Sequence, residues 1–173
     1  MTMTKMLAGL GLVLTLAACQ ATTERARTAE IGVSGVAVTG VSRAASAGNA
    51  LSLTSQQRAR HGLGALRSDP RLQRAAQVLA DHMARNATVG HEGPGGSRMV
   101  HRMKRAGYNP CYGVENVAFG LNSPAEVVEA WMRSPGHRKN MLAGRATDGA
   151  IAVAVDGTGH RYWAMVAATH CRR

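Results

Sequence analysis

The run Ala150-Ile151-Ala152-Val153-Ala154-Val155 constrains the fold most. It is apolar at every position, where a strand with one wet face would alternate, so it reads as a strand covered on both faces. Asp156-Gly157-Thr158-Gly159 then supplies turn chemistry into a second strand, Arg161 to Thr169. A sheet covered on both sides needs two layers of helix around it.

The remaining signals place those helices. A first helix is expected to begin near Thr54 or Ser55 and to carry Arg58, with Gly62 and Gly64 ending it. Asp69 or Ser68 caps a second, with Pro70 in its first turn and Leu72, Ala75, Ala76, Leu79 and Met83 at helical spacing as core. His82 flanks that stripe. After the turn-rich His91-Glu92-Gly93-Pro94-Gly95-Gly96-Ser97 a third helix is expected over about Arg98 to Ala106. Val114 to Phe119 reads as a strand on which Glu115 shares a face with Val117 and Phe119. Ser123-Pro124-Ala125-Glu126 is a capping box, and Ser134-Pro135 repeats the cap-plus-proline signal, so His137 falls in the first turn of a short helix ending near Leu142. At that N-terminus the helix dipole disfavours a protonated imidazole and lowers its pKa. Glu129 and Arg133 are spaced as a surface i,i+4 pair. Helices before and between strands make the expected class α+β, a three-layer α-β-α sandwich.

The N-terminus reads as an export signal. Lys5 precedes an apolar run, Met6 to Leu16, too short to span a bilayer. Leu16-Ala17-Ala18-Cys19 resembles the bacterial lipobox, in which the cysteine becomes the lipid-modified first residue; the alternative is an ordinary cleaved signal. With Cys19 consumed, two of the three cysteines remain, and Cys111 and Cys171 are then able to pair in an oxidising compartment, free thiols being the alternative. Residues 20–50, rich in Ala, Thr, Gly, Ser and Val, read as a flexible tether. The expected organisation is thus 1–19 signal and lipobox, 20–50 tether, 51–173 one folded domain.

Lys and Arg number 21 against 10 acidic residues, a net charge of +11. Outside the cytoplasm such a charge favours anionic phospholipid, lipopolysaccharide or acidic wall polymer, or else forms a solvated surface without a partner. Two Trp, three Tyr and one Phe supply no stacking platform, so nucleic acid is not an expected partner. His91-Glu92 is not a zinc-protease pair, because Gly93-Pro94-Gly95 forbids the helix that would align two ligands. No serine lies in GxSxG, and no phosphate loop or dinucleotide fingerprint occurs.

Three segments, Val89-Gly90-His91, Val114-Glu115-Asn116-Val117-Ala118 and Glu129-Ala130-Trp131-Met132-Arg133-Ser134-Pro135-Gly136-His137-Arg138-Lys139-Asn140-Met141-Leu142, together resemble the CAP domain family (cysteine-rich secretory proteins, antigen 5, pathogenesis-related 1) in its bacterial secreted branch. The resemblance covers residues 51 to 173 and implies the same sandwich, with a cleft in which His and Glu face each other. His91 matches the histidine after the second helix, and Glu115 the glutamate of the Gly-Glu-Asn motif, with Val114 in place of that glycine. The second glutamate of eukaryotic members is replaced by Ser134, and His137 of the Ser-Pro-Gly-His motif occupies the neighbouring space. Tyr162 takes the position of the family's final histidine, with His160 two residues earlier.

These residues carry several readings. Two imidazoles and a carboxylate, His91, His137 and Glu115, are a donor set for zinc with one position left for water, which a metal-assisted hydrolase would use. Without metal, Glu115 and a histidine would serve as base and orienter. Alternatively the same residues form a buried polar network that fixes loops without chemistry. The leading expectation is a monomeric, envelope-anchored lipoprotein whose cleft binds a small ligand, lipid or wall component, with a hydrolase and a structural protein adhering to anionic polymers as alternatives. Gln20 after the lipidated cysteine implies the outer membrane if the cell is Gram-negative.

Overall fold

The structure, a computed structural model, describes residues 35–171. The signal, the lipobox with Cys19 and the first part of the tether lie outside the described residues. Helix α1 is Gly35–Arg60, β1 Arg67–Ser68, α2 Pro70–Asn86, α3 Met99–Arg105, β2 Pro110–Phe119, α4 Pro124–Arg133, α5 Pro135–Met141, β3 Asp148–Val155 and β4 Arg161–His170. None of these helices is long and apolar enough to cross a membrane.

The four strands form one sheet in the order β1-β3-β4-β2, antiparallel except for the short parallel contact of β1 with β3. The strand that anchored the expectation lies in the interior of the sheet and is buried along almost its whole length. Its side chains divide by parity, as a pleated strand requires. Ala150, Ala152 and Ala154 face the layer built by α2 and α3, while Ile151 and Val153 face the layer built by α1, α4 and α5. On β4, Trp163 and Met165 join the second layer and Ala164 and Val166 the first. The architecture is therefore the α+β three-layer sandwich, with alanines where α2 approaches closely.

Local chemistry accounts for most element boundaries. Asp69 accepts from the backbone N–H groups of Arg71 at 2.8 Å and Leu72 at 3.4 Å, capping α2 ahead of Pro70. The capping signal forms in a variant geometry: Ser123 Oγ accepts from the Glu126 N–H at 3.2 Å, while the Glu126 carboxylate accepts from the Ser123 hydroxyl at 3.0 Å and from the Asn122 N–H at 2.9 Å instead of from the Ser123 N–H. Ser134 occupies the cap position of α5, but its hydroxyl makes no capping bond. Cys111 and Cys171 are disulfide-bonded, tying the start of β2 to the end of β4.

Helix α1 departs from expectation. It starts at Gly35 and takes in residues 35–50 that read as tether. Thr54 is no cap, because its hydroxyl donates to the Ala50 carbonyl inside the helix at 2.9 Å. The buried positions Ala47, Ala50, Thr54 and Arg58 follow a helical repeat, but their small or polar side chains carry little hydrophobic signal. Arg58 is buried and uses its guanidinium to satisfy carbonyls: Nε donates to Gly64, Nη1 to Met141 and Ala143, and Nη2 to Ala146, at 2.9–3.0 Å. It thereby closes the C-terminal end of α5 against the end of α1.

Candidate functional site

Glu115 lies in the middle of β2, buried on the face that α3 covers. Arg102 of α3, equally buried, donates from Nη2 to Glu115 Oε2 at 2.6 Å. His91, in the loop after α2, brings Nδ1 to Oε1 at 2.9 Å. Both carboxylate oxygens are thus held. The guanidinium also gathers the loop itself, since Nη1 donates to the His91 carbonyl at 3.1 Å and to the Ser97 carbonyl. Gly93 permits this closure: a Cβ there would stand 3.0 Å from Ser97 Oγ and 3.2 Å from the Arg102 side chain.

The environment sets the protonation of the two histidines in opposite directions. The hydrogen bond to Glu115 raises the pKa of His91, with burial and the Arg102 charge working against it. His137, on α5, has its pKa lowered, first by burial and then by the charge of His91. The direction matches the sequence expectation, but the cause is desolvation and not the helix terminus. His137 is held through its backbone: its carbonyl accepts from Asn116 Nδ2 at 3.0 Å, and Asn140 donates to Asn116 Oδ1 at 2.9 Å and to the Glu115 carbonyl at 3.1 Å.

A cavity of about 540 Å³ opens beside this network, lined by His91, Arg98, Met99, Val100, Val114 and Glu115 among others. It joins apolar walls to a polar end, the usual make-up of a ligand site. A larger cavity of about 620 Å³ lies between α1 and α2, with Arg43, Gln73, Gln77 and Asp81 in its wall, but no His–Glu pair opens into it.

Tyr162 does not join His91 and Glu115. It pairs with Phe119 in the β2–β4 ladder, whereas Glu115 pairs with Val166, so the two are four residues apart along the strand, roughly 13 Å at strand spacing. Its hydroxyl donates to Asp156 at 3.2 Å, in a turn where the Thr158 hydroxyl first of all holds the Asp156 pKa down at about 2. His160 is exposed in that same turn, against Thr158 and the Phe119 ring. Counting back along β4 preserves the face but not the distance to Glu115.

The arrangement gives the zinc expectation no support. Among the described residues no three His, Cys, Asp or Glu side chains come together as a metal set. Glu115 is already shared between a guanidinium and an imidazole, and Arg102 places a positive charge where a cation would approach. The residues do not fit a three-ligand catalytic zinc. Glu129 and Arg133 form the expected exposed pair.

Arg102, Asn116 and Asn140 are the residues that sequence reasoning missed. A signal for Arg102 existed: it lies three residues after Met99 and next to Met103, on the helix face that packs inward.

Comparison with known proteins bears on the family and the fold. The model of the CAP family, described as the cysteine-rich secretory protein family, matches residues 51–167. YkwD, an uncharacterized protein of Bacillus subtilis (strain 168), is 37% identical over 90 residues, which span 52% of this chain and 35% of that protein. Among solved structures, an extracellular protein containing an SCP domain from Bacillus anthracis str. Ames superposes with a TM-score of 0.65 at 23% identity, covering 73% of this chain and 41% of that one. An outer surface protein from Borrelia burgdorferi gives a TM-score of 0.63 at 20% identity over 70% of this chain and 90% of its own. These structural likenesses establish the fold.

Proposed function

Because this chain belongs to the CAP family, we propose that it is an exported envelope protein, held to the membrane by a lipid on Cys19, whose cleft beside Glu115 binds a small ligand, a lipid or a wall component. The observation that carries the binding reading is the union of the cavity with the Arg102–Glu115–His91 network. Both oxygens of Glu115 are committed to partners inside the protein, which makes the carboxylate a fixed wall of the cleft. Such a preset polar end beside Met99, Val100 and Val114 orients a ligand without reacting with it. The descriptions of the relatives as extracellular or outer surface proteins support export, and the Leu-Ala-Ala-Cys run supports the anchor.

The experiment is native mass spectrometry of the full-length chain after incubation with a bacterial polar-lipid extract and, separately, with soluble wall fragments. Val100 lines the cavity from an exposed position on α3, so Val100→Trp plugs the space without touching the network. A bound species retained by the wild type and lost in V100W supports the reading; retention of none, or equal retention by both, overturns it. The anchor has its own test, since Cys19→Ala moves the protein from the membrane pellet to the soluble fraction if Cys19 carries the lipid.

A further inference from the structure

The cavity wall contains Gly113, Val114 and Glu115 in succession. β2 is the outermost strand, and Gly113 has no side chain, so the cavity meets the strand's backbone there, beside His91, Arg98, Met99 and Val100.

The backbone at that edge can be assigned. In an antiparallel pair alternate residues turn both backbone groups toward the partner or away from it. Gly120, at the end of the β2 ladder, donates to the Arg161 carbonyl, so the even-numbered residues after the register shift at its start bond β4 and the odd-numbered ones face outward. Side chains confirm the assignment, because the Trp131 indole donates to the Val117 carbonyl at 3.1 Å and Asn140 donates to the Glu115 carbonyl at 3.1 Å. Further along the strand these two side chains cap the Glu115 and Val117 carbonyls. Facing the cavity remain the N–H and C=O of Gly113 and the N–H of Glu115, and no hydrogen bond to them occurs among the described residues outside the ladder.

We infer that the cleft takes a linear peptide segment in extended conformation, which adds to β2 at Gly113–Glu115. The inference rests on the cleft being a ligand site, as proposed above, and assigns that site a peptide. Unpaired strand-edge groups are satisfied best by another extended backbone. The free set suits one: the two groups of Gly113 accept and donate to a single residue of an antiparallel strand, while the Gly113 carbonyl and the Glu115 N–H serve a parallel one. Gly113 lets α3 pack close against β2, since a Cβ there would stand 3.0 Å from Met103 Cε and 3.1 Å from Met99 Cε. The Asn140 cap on the Glu115 carbonyl ends the added strand there. Arg98, Val100 and the His91–Glu115 pair, all on the α3 side, would then meet the side chains on one face of the peptide, and Val114 those on the other.

The probe is a phage-displayed random heptapeptide library panned on the full-length chain. The enriched sequence is then synthesised unmodified and with N-methyl groups on one or the other alternate set of its amides. The expected result is binding that falls about tenfold or more with one N-methylated set and survives with the other, together with slowed hydrogen exchange at the Gly113 and Glu115 amides of the ¹⁵N-labelled chain. A peptide whose affinity ignores both methylation sets, or that leaves those two amides unprotected, overturns strand addition. Enrichment of no peptide, or of peptides that V100W binds as well as wild type, overturns the peptide occupant. The lipid and wall-fragment experiment is independent of these outcomes: a retained species there with no peptide binding removes this inference and leaves the ligand-binding cleft standing.

Discussion

Arg102 and Glu115 meet at 2.6 Å with both side chains almost wholly buried, at 2% and 4% of their full exposure. The guanidinium holds the strand carboxylate and, through the His91 and Ser97 carbonyls, the loop that carries the histidine. One side chain therefore decides whether the cleft has a shape.

Arg102→Ala leaves a buried carboxylate without its cation and is expected to cost about 3–5 kcal/mol. Replacing both members, Arg102→Met with Glu115→Leu, should cost less than the sum of the single changes. Urea denaturation of the two single variants and the double variant measures the coupling; additive losses would refute it.

Stability should respond to pH through the two histidines with opposite signs. His91 has a raised folded pKa, so its contribution is full below the unfolded value near 6.5 and is lost as pH rises through the folded one. His137 has a lowered folded pKa, so it destabilises the fold as pH falls from about 6.5 toward that lower value. Thermal unfolding from mildly acidic to mildly alkaline pH, with His91→Gln and His137→Gln beside wild type, should show each variant removing one limb of the profile. Parallel profiles would show that neither titration is linked to folding.

Arg58→Met keeps volume but removes the donor to four carbonyls at the junction of α1 and α5, and only that of Ala143 keeps another partner, the Ala146 N–H at 3.1 Å. The expected loss is more than about 3 kcal/mol, since each buried unsatisfied group costs about 1–3. Arg58→Lys should recover little of it, because a single ammonium cannot reach carbonyls spread around a planar fork. Denaturation midpoints of the two variants decide the point, and near-wild-type stability of the lysine variant would contradict this account.

The Cys111–Cys171 bond spans a sequence separation of 60 residues. Reduction, or Cys111→Ser with Cys171→Ser, should lower unfolding free energy by about 2–5 kcal/mol. The loss should appear in calorimetry with and without reductant, and a double variant insensitive to reductant confirms its origin.

Much of this organisation was readable in advance wherever the cause is local. The Asp69 and Ser123 caps, the Glu129–Arg133 pair and the placement of Glu115 on one face with Val117 each depend on residues a few positions apart. Helix α1 escaped because its buried stripe of Ala47, Ala50 and Thr54 resembles the composition of a tether. Tyr162 was set beside the cleft because face is legible by parity, whereas its distance from Glu115 follows from the pairing of β2 with β4.

The sequence by itself determined the doubly covered sheet and most helix starts, because periodicity and capping are written in short stretches of chain, and its family resemblance implied a cleft where His91 faces Glu115. Only the tertiary structure decided that Arg102 is the partner of Glu115 and that the pKa values of His91 and His137 are moved in opposite directions. Each of these depends on burial, which removes water as the competing partner and makes the nearest charge or hydrogen bond decisive.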